Sequence, residues 1–145
     1  MANAFMGEIR MVGFNFAPAG WAFCDGQVMP IAQNTALFSL LGTTYGGDGQ
    51  STFALPDFRS RGPIHRGQGN GLTQRNLGEI GGDEGSQLPV HRVEIPQAPD
   101  NPTVLAYTPG GLSVNSMEPF LVVSFIISLT GGFPIRQENS PERFA

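Results

Sequence analysis

Apolar and charged positions alternate at the start of the chain: in Gly7-Glu8-Ile9-Arg10-Met11-Val12-Gly13, the charged Arg10 separates Ile9 from Met11. A period of two predicts a half-buried β-strand. Asn15 to Trp21 then reads as a turn pivoted on Pro18 and Gly20. Trp21-Ala22-Phe23-Cys24 is a second short strand, Asp25-Gly26 a hairpin turn, and Gln27-Val28-Met29 the returning strand. The period next becomes helical. Leu37, Phe38, Leu40 and Leu41 supply the apolar face of a helix near 34–41, with Asn34 as its cap and Gly42 at its C′ position. Such a helix has about two turns, so packing rather than propensity must hold it.

The densest apolar run comes late, from Pro119 to Leu129, with Gly131-Gly132 and Pro134 ending it. It does not alternate, and four of its residues are Val or Ile. A strand buried on both faces is written this way. A buried helix is the competing reading; length and β-branching favour the strand. The expected fold class is therefore α+β: β-rich and turn-dense, with one short helix near 34–41 packed on a closing strand near 120–129. Its expected core includes Trp21, Leu37, Leu40, Phe125 and Ile127.

Between these zones, residues 67–118 are punctuated by Gly67, Gly69, Gly71, Gly78, Gly81, Gly82 and Gly85, then by Pro89, Pro96, Pro99, Pro102 and Pro109. That spacing predicts ordered loops and short extended pieces. One domain over 1–136 is expected, with the 67–118 loop region inside it and a polar tail at 137–145.

Composition narrows the function. Of 145 residues, 20 are Gly and 12 are Pro, which disfavours long helices. All eight basic residues are arginine, so chemistry that needs a phosphate-loop or Schiff-base lysine is excluded. A formal net charge of −4 argues against nucleic acid as a partner. The ten residues from Phe120 to Leu129 fall short of the ~20 that a membrane-spanning helix needs, so no membrane insertion is expected. No signal-peptide pattern opens the sequence.

Candidate chemistry is sparse. Gly67-Gln68-Gly69-Asn70-Gly71 imitates a dinucleotide loop, but Leu72 stands where the third glycine belongs and no helix pattern follows. Gly46-Gly47-Asp48-Gly49 offers one carboxylate where calcium loops use several, so it reads as a tight turn. Asp25 and Asp57 are the best carboxylate pair, each with a simpler role in a turn. Cys24 lacks the electropositive setting of a reactive thiolate and belongs in the core. His65 and His91 are weak metal candidates, since one chain cannot build a three-histidine zinc site from two histidines. No cofactor, metal or catalytic residue is expected.

Several segments together carry a specific resemblance. Gly7-Glu8-Ile9-Arg10, Phe16-Ala17-Pro18-Ala19-Gly20-Trp21-Ala22-Phe23-Cys24-Asp25-Gly26-Gln27 and the stretch from Asn34 to Gly49 resemble the opening of the phage tail collar domain family. Leu55-Pro56-Asp57-Phe58-Arg59-Ser60-Arg61 is a close variant of that family's Leu-Pro-Asp-Leu-Arg-Gly-Arg pattern. Pro119 to Leu129 and Gly132-Phe133-Pro134 look like its closing segment, and the chain is similar to the family's bacterial microcystin-dependent members. The resemblance implies a non-enzymatic, oligomeric, extracellular, cell-surface or virion-tail part. Family members often carry Pro-x-His-x-His, which can hold metal; here Pro89-Val90-His91-Arg92-Val93 lacks the second histidine.

The expected function is a structural subunit that assembles with copies of itself into a fibre, a pilus-like filament or a tail tip. Phe5 and Met6 need covering, and a neighbouring copy's sheet edge is the expected cover. The alternative is an adhesin that binds a receptor or cell-surface glycan through Tyr45, Asn70, Asn101 and Tyr107.

Overall fold

The computed structural model describes residues 4–87, 92–93, 106–107, 113–115 and 117–136. The described chain falls into two compact units, one within Met1–Glu79 and Val122–Ala145, the other within Ile80–Leu121. The predicted polar tail at 137–145 lies outside the described residues.

In the first unit the main sheet joins β1 (Ile9–Val12), β2 (Trp21–Phe23) and β9 (Ser124–Ser128) in the order β1-β9-β2. Both pairings are antiparallel, with Ile9 opposite Ile127, and Ala22 also opposite Ile127. β9 is thus the central strand. Ile126 and Ile127 are adjacent, point to opposite faces, and are both buried. Burial on both faces holds here, but over a shorter strand than the sequence predicts. Phe120 to Val123 are exposed, Leu121 by 87%. The ladder to β1 begins only at Ser124, and among the described residues the apolar ones before it have no strand to pack beside.

β1 forms where the alternation predicts, yet it is not half-buried: Ile9, Arg10 and Met11 are all exposed. Among the described residues it has one strand neighbour, β9. Register places Arg10 on the same face as Ile126, Ser128 and Trp21. The Arg10 guanidinium carbon lies 5.1 Å from the Trp21 ring centroid, a cation–π contact that reaches across β9.

The expected Asp25-Gly26 hairpin does not form. β2 pairs with β9, while β3 (Val28–Pro30) pairs antiparallel with β4 (Thr52–Ala54). Asp25-Gly26 instead carries the chain from one sheet to the other. Asp25 is bridged to Asp57, Gly26 N–H donates to the Pro56 carbonyl at 3.2 Å, and Phe58 N–H donates to that of Cys24 at 2.9 Å. A strand with a long-range partner on β9 has no need of a local hairpin.

A turn of 3-10 helix, Ile31–Gln33, leads into α1 (Thr35–Leu41). Asn34 occupies the N-cap position without capping by its side chain; Asn34 Nδ2 donates backwards to the Pro30 carbonyl at 3.0 Å. Gly42 ends the helix as predicted, with φ 55° and its N–H on the Phe38 carbonyl at 2.7 Å. Leu37 is 1% exposed and shares a core with Ala22, Cys24, Phe53, Leu55 and Ile127. Phe38 and Phe125 pack against that core. Leu40 and Trp21 are only half-buried. Leu40 falls outside the core cluster, because the helix turns Leu37 rather than Leu40 inward.

In the second unit β5 (Gly85–Gln87) pairs antiparallel with β8 (Ser113–Asn115), and β6 (Arg92–Val93) with β7 (Ala106–Tyr107). These short strands match the short extended pieces expected in the Gly/Pro-rich zone.

Candidate functional site

The most organised surface lies in two turns, one between α1 and β4 and the other after β4. Asp48 is the hub of the first. Its Oδ1 accepts from the backbone N–H of Gln50, Ser51 and Thr52 at 2.9, 2.8 and 2.8 Å, and its Oδ2 from the Ser51 hydroxyl at 2.6 Å. Four donors on one carboxylate hold it well below the usual carboxylate range, the Ser51 hydroxyl contributing most. Its partners among the described residues run from Gln50 to Thr52, the first residue of β4. The site is a closed turn, as the single carboxylate implied.

The second turn is Leu55-Pro56-Asp57-Phe58-Arg59-Ser60-Arg61. Leu55 anchors it in the core, and Phe58 stacks on Phe125 with ring centroids 4.5 Å apart. Arg59 grips the Asp57 carboxylate through Nε and Nη2, each at 2.9 Å, and Arg61 Nη1 stands 3.3 Å from Asp57 Oδ2. The Arg59 hydrogen bonds foremost hold the Asp57 carboxyl below its ordinary range. Ser60 takes φ 55°, the left-handed conformation that lets the chain reverse there. Asp57 is therefore a structural anion with its charge already matched. Asp25 is adjacent through the backbone bridge, and its Oδ1 has no hydrogen-bond partner among the described residues. The two carboxylates that sequence reasoning paired are neighbours, but one of them is fully committed to arginine.

Cys24 is buried, and its thiol is pushed up to about 12, by desolvation first and the Asp25 charge second. This is the core cysteine that the sequence implies. Tyr45 is half-buried, and burial raises its phenol above the ordinary range. Asn70 is exposed in a loop that reciprocal backbone bonds between Gly67 and Arg75 close. Tyr107 lies in β7 of the other unit, while Asn101 and His91 lie outside the described residues. His65 is exposed and lines a groove with Arg66, Gln74 and Arg75. Among the described residues, no three His, Cys, Asp or Glu side chains are grouped to hold a metal ion. No described helix is long and apolar enough to cross a membrane.

Sequence reasoning missed the exposed apolar surface beside the β1–β9 ends. Phe14 and Phe16 are both exposed and stack with centroids 4.7 Å apart. Phe14 lines a groove of ≈ 260 Å³ with Val12, Asn15, Val122 and Val123. The signal was present in the apolar character of 120–123, but it was assigned to the core.

Both turns lie in one continuous stretch of chain with β1 to β4 and α1, whereas β9 joins the main sheet from far along the sequence. Residues 7–63 match the family model of the Phage Tail Collar Domain. The match spans β1 through β4, α1 and both carboxylate-centred turns. The collar is a structural domain of phage tails and fibres, and the resemblance read from Gly7 to Arg61 is the one the family model finds. No curated protein matched the chain.

Proposed function

We propose that this chain is a non-enzymatic structural subunit of a phage-tail-like fibre or tail tip, assembling with copies of itself outside the cell or on a virion. The collar match supports the structural role. The observation that carries self-assembly is the exposed apolar surface of Phe14, Phe16, Val122 and Val123. Burying such a surface against another copy removes apolar area from water at about 25 cal/mol per Å². Among the described residues β1 has only β9 as a strand neighbour, so its other edge is a second surface for a copy.

The N-terminal segment has a different part from that expected. Met6 N–H donates to the Gly132 carbonyl at 2.9 Å and Gly132 N–H to that of Ala4 at 3.1 Å, so Ala4–Met6 is paired within its own chain. Met6 packs against the core, whereas Phe5 remains 59% exposed. Assembly through this region would therefore use the Phe5 side chain rather than a donated strand.

Light scattering tests the reading. Purified protein should run as a multimer, and negative-stain electron microscopy should resolve rings or fibres. A monodisperse 15.5 kDa monomer at high concentration would overturn it.

A further inference from the structure

The chain is acidic, with a formal net charge of −4, but one stretch reverses that sign. Residues 58–78 contain Arg59, Arg61, Arg66 and Arg75 and no Asp or Glu, a local charge of +4 with histidine neutral. Asp57 and Glu79, just outside each end, pair with three of the four but neutralise only two charges. Arg59 and Arg61 pair with Asp57, and Arg75 Nη1 lies 2.8 Å from Glu79 Oε1. Arg66 has no carboxylate or hydrogen-bond partner among the described residues.

That unmatched guanidinium borders a groove of ≈ 430 Å³, lined also by His65, Gln74, Arg75, Asn76 and Leu77. Small-ligand sites have volumes of roughly 300–1,000 Å³. The groove walls are pinned. Gly67 N–H donates to the Arg75 carbonyl at 2.8 Å and Arg75 N–H to that of Gly67 at 2.9 Å, while Asn76 N–H donates to Glu79 Oε2 at 2.8 Å. A guanidinium offers a planar fork of donors that fits phosphate and carboxylate oxygens. The Gln74 and Asn76 amides can exchange hydrogen bonds with hydroxyl groups, and exposed Leu77 offers an apolar edge to a sugar ring.

We propose that this groove binds an anionic saccharide, with Arg66 holding its phosphate or carboxylate group. The site uses none of the four residues expected above to meet glycans. It is independent of self-assembly, because a lone chain carries the whole groove.

The test is a titration of isotopically labelled full-length protein, followed by amide chemical shifts, with glucose 6-phosphate, glucuronate and glucose as probes. Both anions should shift amides of residues 65–77, with affinity falling as salt rises. Glucose should bind at least about tenfold more weakly, and Arg66→Ala should weaken the anions by about tenfold, as loss of a charge-assisted hydrogen bond implies. Arg136→Ala, an exposed arginine outside the groove, should change nothing. The tighter of the two anions identifies the group that Arg66 prefers. Absence of saturable shifts would overturn the proposal. So would equal binding of glucose, or equal losses in the Arg66 and Arg136 variants. Unchanged amide spectra outside the groove establish that Arg66→Ala folds.

Discussion

Gly47 packs its bare Cα against Phe53, so closely that a Cβ at position 47 would overlap the Phe53 Cα and the Thr52 carbonyl oxygen. Phe53 is a fully buried member of the core, which makes this approach part of how the loop after α1 seats on β4.

The first prediction follows from that contact. Gly47→Ala must displace backbone, and φ is +94°, where a side chain is strained in any case. Strain of this kind costs roughly 1–3 kcal/mol before the overlap is relieved. Urea denaturation should find the variant destabilised by about 2 kcal/mol or more. A change within ~0.5 kcal/mol, the range of ordinary surface substitutions, would contradict this packing.

The core gives a second prediction. Leu37→Ala should cost about 2–5 kcal/mol, as truncation of a buried leucine does. Leu40→Ala should cost clearly less, because its side chain sits at the core margin. Equal losses in thermal or urea melts would mean that both leucines face inward.

How far the sequence revealed this fold depended on the range of the signal. Gly42 stops α1 through a local conformational need, and the helix was legible to within one residue. Asp25-Gly26 is also a local signal, but it misled, because the partner of β2 is β9, about a hundred residues further on. The run Phe120–Val123 misled differently. Hydrophobicity states a preference for burial without supplying a neighbour, and neighbours begin only at Ser124. The collar segment was legible through the residues of its turns, Leu55 to Arg61 among them, but the matching of Asp57 to Arg59 and Arg61 was not, since the sequence marks Asp57 only as a turn former. Nor was the groove beside Arg66, since its two walls are joined only when Gly67 pairs with Arg75.

The Asp48 turn gives a pH dependence. Its folded-state pKa lies below the unfolded value of ~3.9, so its stabilising effect is complete above that pH and is lost as pH falls through the folded value. Asp48→Asn should be less stable than the wild type at pH 7. The gap should narrow progressively below about pH 4, as the Asp48 carboxylate of the unfolded chain protonates while the folded one stays ionised. A gap that stays constant down to pH 2 would show that charge at Asp48 is not what organises the turn.

Cys24 should be inert in the folded protein. Its thiol is buried and pushed up to about 12, so almost no thiolate exists near pH 8. A thiol reagent should label it only at the rate of unfolding, and immediately in denaturant. The linkage runs opposite to Asp48: stability from the protonated thiol is full below the unfolded value near 8.5 and declines as pH rises above it. Cys24→Ala should therefore flatten the alkaline side of the stability profile. Fast labelling of the native protein would place the thiol at the surface.

The final prediction concerns the apolar surface. Phe14 and Val122 line one groove, both are exposed, and neither belongs to the core cluster. Replacing both with serine removes apolar area that only a partner would cover, so folding stability should change little while assembly falls. Exposed positions of this kind usually alter stability by no more than about 0.5 kcal/mol. The Phe14→Ser, Val122→Ser protein should keep the wild-type melting curve at a concentration where the wild type is dissociated, and scatter light as a 15.5 kDa monomer where the wild type is multimeric. Deleting residues 1–6 should behave differently. It removes the pairing of Ala4 and Met6 with Gly132 and the packing of Met6 on the core, so the melt itself should shift downward. If the double-serine protein assembles as the wild type does, the contact between copies lies elsewhere on the chain.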